Sequence, residues 1–136
     1  MTLVEELLKS DAKKADEKEV TTYKSKKLEN ILGKKEPVEI KIQEMSARRI
    51  NDILNYQLDK RGNMQFEKSY DANLMVCVES IIDPDIKNKD LQGHFNCKNA
   101  KDLCEKIFGA EASDIADKVM VLSGYNPEGD KEEIKN

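Results

Sequence analysis

Apolar and polar positions are unevenly spread along this chain. The longest apolar run is Leu74-Met75-Val76-Cys77-Val78, extended after Glu79-Ser80 by Ile81-Ile82 and closed by Asp83-Pro84-Asp85. A half-buried strand would alternate, yet positions 74 to 78 hold no polar residue. As a helix, Leu74, Met75, Val78, Ile81 and Ile82 form one broad stripe, widened by Val76 and Cys77, and only Asn73, Glu79 and Ser80 are left for a narrow wet face. The pattern predicts a central helix. Asp71 caps its start, Tyr70 and Met75 staple across that cap, and Pro84 prevents continuation beyond Asp83. Full burial of its apolar residues contributes roughly 10 to 20 kcal/mol before chain entropy is charged against it.

The N-terminal half arranges itself around that helix. Thr2 caps a short helix in which Leu3, Val4, Leu7 and Leu8 make a compact apolar patch facing away from Glu5, Glu6 and Lys9. Ser10 to Glu19 is almost entirely Lys, Asp, Glu and Ala, a solvated helix extension or tether. An apolar patch on a polar tether either folds back on the core or docks on another subunit or partner. Val20-Thr21-Thr22-Tyr23-Lys24 reads as a short strand, and Lys26 to Leu32 as helical turns with Leu28, Ile31 and Leu32 inward, stopped by Gly33. Val38-Glu39-Ile40-Lys41-Ile42 alternates cleanly after Pro37. Two isolated strands are marginal in water, so these two should pair and lay Val38, Ile40 and Ile42 on the helices, in a direction the pattern leaves open.

Ser46 caps the next helix, with Met45 and Ile50 as a staple and Ala47, Ile50, Ile53, Leu54 and Leu58 as its buried stripe. Arg48 and Arg49 sit in its first turn, where the helix dipole disfavours positive charge and Asp52 offsets part of the cost. They mark a solvated face or an anion or partner contact. Arg61-Gly62-Asn63 breaks the helix, and Met64 and Phe66 are expected to plug the core edge. Beyond the central helix, Leu91 and Phe95 mark a short helical turn. Asn99 then caps a helix that buries Ala100, Leu103, Cys104, Ile107 and Phe108 and ends at Gly109. A last helix from Glu111 or Ser113 buries Ile115, Val119 and Leu122 and ends at Ser123-Gly124. The expected fold is mainly α: a small helical domain of about five to six helices with a short two-stranded β element near residues 20–24 and 38–42. Residues 1–19 form an N-terminal helix and charged tether, 20–125 a single helical core domain, and 126–136 a polar C-terminal tail with only Ile134 to bury.

Composition narrows the chemistry. With 136 residues, 37% charged, 38% hydrophobic and no Trp, the chain is one domain with a core small for its length. A net charge of −4, with acids and bases interleaved, argues against a nucleic-acid surface. Leu3 to Leu8 is too short and too interrupted by Glu5 and Glu6 for a signal peptide, and no window approaches membrane-spanning length, so a cytoplasmic protein is expected. His94, Cys97 and Cys104 follow an H-x2-C-x6-C pattern without the paired short spacing of a zinc site, and Cys77 belongs to the core, so reduced thiols and no metal are expected. His94 lacks a neighbouring nucleophile, the six Gly are scattered rather than gathered in a phosphate loop, and the carboxylates lie on wet faces. No catalytic residue and no cofactor are expected. A helix-turn-helix over residues 46–58 and 71–82, the basis for an alternative reading as a DNA-binding regulator, has too long a loop and too apolar a second helix. What remains is a protein that binds proteins.

The order of features resembles a known family. A strand and capped helix from Val38 to Leu58, Ile81-Ile82-Asp83-Pro84, Leu91, Ala100 to Phe108, Glu111 to Leu122 with Ser123-Gly124-Tyr125, and Glu133-Ile134-Lys135-Asn136 are similar to the XkdN-like tail assembly chaperones of contractile-tailed phages, prophages and phage-tail-like bacteriocins. The resemblance spans roughly residues 20–136, and its strongest marks are Ile82-x-Pro84 and Leu122-Ser123-Gly124. It implies a non-enzymatic assembly factor that binds the tape measure protein, helps to recruit the major tail tube protein, and leaves before the tail is complete. Partner contact is then expected through Leu3, Val4, Leu7 and Leu8 and through Ile134, with a homo-oligomer left open and no nucleic-acid or membrane partner.

Overall fold

Alternation in Val38–Gln43 (β2) has a direct physical cause: Ile40 and Ile42 are fully buried while Glu39 and Lys41 face water. In the computed structural model, which describes residues 1–125, β2 pairs antiparallel with Val20–Ser25 (β1), Tyr23 opposite Ile40 and Thr21 opposite Ile42. The sheet does not stop at two strands. Ile81–Asp83 (β3) pairs antiparallel with the other side of β2, Ile81 opposite Ile42 and Asp83 opposite Lys41, giving the order β1-β2-β3. The Asp83–Pro84 peptide is cis.

The third strand shortens the central helix. That helix is Ser69–Ser80 (α4), and Ile81 has already turned to extended backbone. Two adjacent β-branched residues satisfy helical spacing from Leu74, but they also alternate: in the strand Ile81 is buried and Ile82 faces out. Pairing with the open edge of β2 decides between the two. The start differs as well. The helix begins at Ser69 without a side-chain cap, and Asp71 pairs with Lys101 at 3.1 Å instead. Tyr70 is already helical, and its hydroxyl donates to the Gly109 carbonyl at 3.0 Å rather than stapling the helix entry. Ala72, Leu74, Val76 and Cys77 make the buried face, with Met75 and Val78 half-buried beside them.

Around α4 pack Ala47–Tyr56 (α3), Ala100–Phe108 (α6) and Glu111–Leu122 (α7). Helix α6 follows its pattern closely: the Asn99 side chain accepts the Asp102 N–H at 2.8 Å, and Leu103, Cys104, Ile107 and Phe108 are buried. Helix α7 buries Ile115 and Val119 as expected, adds Ala112 and Ala116, and leaves Leu122 half-buried. Leu3–Lys9 (α1), Lys26–Leu32 (α2) and Lys89–His94 (α5) bring the described residues to seven helices. That exceeds the expected five to six because each short segment closes its own turns on a side-chain cap, Thr2, Ser25 and Asn88 respectively.

Several apolar positions expected inside lie outside. In α2 only Leu28 is buried; Gly33, at φ +66°, ends the helix before Ile31 and Leu32 meet a facing element. In α3 Ile50 and Ile53 are buried, but Ala47, Leu54 and Leu58 are exposed. Met64 and Phe66 do not plug the core, and Phe66 is 81% exposed. The loop that carries them closes on itself instead: Asp59 Oδ1 accepts the N–H groups of Arg61 at 2.8 Å and Asn63 at 2.9 Å, and Gln65 N–H donates to the Gln57 carbonyl at 2.7 Å.

Candidate functional site

One apolar surface is left uncovered and one groove opens beside the core, and different rules of local structure place them. The first is α1. Thr2 Oγ1 accepts the Glu5 N–H at 3.2 Å, and Ser10 ends the helix by donating both its N–H and its hydroxyl to the Leu7 carbonyl. No residue of α1 is buried: Leu3, Val4, Leu7 and Leu8 are 69%, 66%, 62% and 80% exposed. The patch therefore does not fold back on the core. A seven-residue helix is far below the roughly 12 to 15 residues at which isolated helices become even marginal in water, so its own length contributes little to holding it. Behind it, Asp11 caps a 3-10 turn over Ala12–Asp16, and every residue of the tether is exposed. The tether is rooted where Glu19 and Glu44 exchange hydrogen bonds of 2.7 and 2.9 Å, next to the start of α3.

The second surface is a groove of about 620 Å³ between α3, α4 and α7. Its origin is side-chain volume. Ala72 on α4 and Ala116 on α7 face the space where larger residues would have closed it, leaving Ile50, Ile53, Val76 and Met120 as apolar walls. Leu54 and Val121 stand exposed along the rim, while Gln57, Asn73 and Asp117 supply its polar points. Asn73 is held by a 3.1 Å hydrogen bond from its Nδ2 to Ser113 Oγ. At one end, the Met45 N–H donates to Ser123 Oγ, fixing the start of α3 to the end of α7. Alongside it, Arg49 pairs with Glu79 and lies 4.0 Å from Asp52, which answers the misfit of a basic first turn. Arg48, its neighbour, is exposed.

The expected contact residues thus part company. Leu3, Val4, Leu7 and Leu8 share one exposed helix, whereas Ile134 lies outside the described residues. The groove was not anticipated, because Leu54 fits the buried stripe of α3 by spacing. Its signal was the alanine pair, small residues in otherwise bulky stripes on two helices.

The ionisable groups nearby are perturbed mostly by burial. Cys77 and Cys104 are fully buried free thiols; burial pushes both up, Cys104 to about 12, so neither is a thiolate at neutral pH. Tyr23 is raised to about 12 by burial first and by the Glu111 and Asp114 carboxylates second. Cys104 is inside while His94 is exposed and Cys97 half-buried, and among the described residues no three His, Cys, Asp or Glu side chains converge as a metal site would need. No described helix is long and apolar enough to cross a membrane. What the exposed surfaces offer is apolar area at helical spacing, the chemistry of helix-in-groove recognition.

A family model described as phage XkdN-like tail assembly chaperone protein matches residues 4–135. The chain belongs to that family. The match reaches back to Val4, so all of α1 but Leu3, with its tether, falls inside it, whereas the resemblance begins near residue 20. Among solved structures, the crystal structure of the protein YqbN is similar in fold to this XkdN-like chain, with a TM-score of 0.54 at 13% identity over 79% of this chain and 88% of that one. No curated protein matches it significantly.

Proposed function

We propose that this XkdN-like chain is a non-enzymatic tail assembly chaperone that binds the tape measure protein reversibly, through Leu3, Val4, Leu7 and Leu8 and through the tail that carries Ile134. In this reading it also helps to recruit the major tail tube protein, acts in the cytoplasm of the bacterial host, and leaves before the tail is finished. The observation that carries it is α1: four large apolar side chains held in water on a charged tether. Such a surface is costly unless it is used, and a long helical client offers the apolar stripe that would cover it. A client that meets the chaperone before its own partners is kept from aggregating by mass action rather than by chemistry.

Co-expression with the tape measure protein tests this. The full chain should raise the soluble fraction of that partner and co-purify with it, and the pair Leu3→Asp and Leu7→Asp should lose both effects while the chaperone itself stays folded by circular dichroism. A partner equally insoluble with and without the full chain overturns the reading. Equal capture by the Asp variant moves the contact away from α1.

A further inference from the structure

The sheet has two outer edges, and they end differently. β3 is three residues long and is followed at once by Pro84, which brings no N–H to a further ladder. β1 is six residues long, and no described strand lies beyond it. Because the Glu44 N–H donates to the Glu19 carbonyl and the register continues from that pair, residues 19, 21, 23 and 25 turn their backbone groups towards β2. Val20, Thr22 and Lys24 therefore turn theirs outward.

One group in that outward row is taken. Lys118 Nζ donates to the Thr22 carbonyl, at the middle of the strand. Lys118 stands beside the buried Val119 on α7, a helix that packs against both β1 and β2, and it is the one side chain that bonds to the outward row among the described residues. From this placement we infer that Lys118 guards the edge: its ammonium holds the acceptor at which a second strand would begin to pair, and without it β1 of one copy pairs antiparallel with β1 of another about Thr22. This holds whatever client the protein serves.

The occupant follows from the strand itself. About Thr22 the row is self-complementary, since Thr22 meets Thr22 of a second copy, Val20 meets Lys24, and donors stand opposite acceptors throughout. Threonine and valine favour such pairing. Lys118 opposes it in two ways. It takes the Thr22 acceptor in each copy, and a two-fold axis that brings the strands to ~5 Å also brings two ammonium groups to the same point, where like charges repel and lose water. A lysine at a strand edge is a common defence against edge-to-edge association, and here it reaches that edge from a neighbouring helix.

Sedimentation equilibrium of the full chain tests the guard. Lys118→Met, at an exposed position and folded by circular dichroism, should self-associate ~10-fold or more tightly than the wild-type chain. Lys118→Ala should do the same, which separates loss of the guard from gain of an apolar side chain. Lys118→Arg, which keeps the charge and the donor, should match wild type. Thr22→Pro added to Lys118→Ala should return association to the wild-type level, because the Thr22 N–H faces outward and its loss breaks no bond to β2; Val20→Pro, at the first residue of the strand, serves where Thr22→Pro unfolds the chain. An alanine variant no more associated than wild type overturns the inference. So does an arginine variant that associates as the alanine variant does, or an association that survives the proline.

Discussion

The backbone N–H of Met45 donates to Ser123 Oγ at 2.9 Å, and the same hydroxyl donates to the Val119 carbonyl at 2.7 Å. One side chain thereby joins the residue before the cap of α3 to the last turn of α7, 78 positions away in sequence. Ser123→Ala leaves a buried Met45 with an unpaired N–H, and unfolding stability should fall by about 1–3 kcal/mol in a urea titration. Ser123→Thr, which keeps the hydroxyl, should recover most of the loss.

Gly109 turns the chain from α6 into α7 at φ 56°, ψ −125°, a backbone region that residues with a Cβ enter only under strain. Gly109→Ala should cost about 1–3 kcal/mol in the same assay. A Cβ here would lie 2.9 Å from Lys27 Nζ, the far end of a flexible chain that can move aside. Lys27→Ala should therefore not rescue the variant, which separates backbone strain from crowding.

The three cysteines are free and unequal. Cys77 and Cys104 are sealed in the core with their thiols pushed up by burial, while Cys97 is half-buried. Under native conditions at mildly alkaline pH, a thiol reagent should modify Cys97 quickly and the other two only as fast as the protein opens. Denaturant should release all three.

Alkaline pH should weaken the fold. Tyr23 is raised from 10.0 to about 12 in the folded chain, so between those values the folded state holds a proton that the unfolded state has released. Stability is then complete below pH 10 on this account and declines as the pH climbs towards 12. The cause is burial together with Glu111 and Asp114, so Tyr23→Phe should lessen the decline over that window, with the buried Cys77 and Cys104 thiols accounting for part of what remains. Urea midpoints at successive pH values, compared between the two chains, measure it.

Where a pattern had one explanation, the fold was legible. In α6, Asn99, the spacing of Leu103, Cys104, Ile107 and Phe108, and Gly109 each point to the same helix, and the helix is there. Ile81-Ile82 had two explanations, since helical spacing from Leu74 and alternation within a strand both fit; the hydrogen-bonding edge of β2, invisible in a local window, chose the strand. Leu54, Met64 and Phe66 lie outside for a related reason, because hydrophobicity alone does not say whether a facing element exists. The pattern left open whether α1 folds back on the core, and the groove is a property of three helices at once, so only their packing reveals that Ala72 and Ala116 leave it open.

Because α1 gives nothing to the core, its apolar positions answer to no core neighbour among the described residues. Drift there, in length or in register, leaves the folding of residues 20–125 untouched. Variation in α1 and variation in the core therefore fall on separate stretches of one small protein, and the first can change pace without waiting for the second.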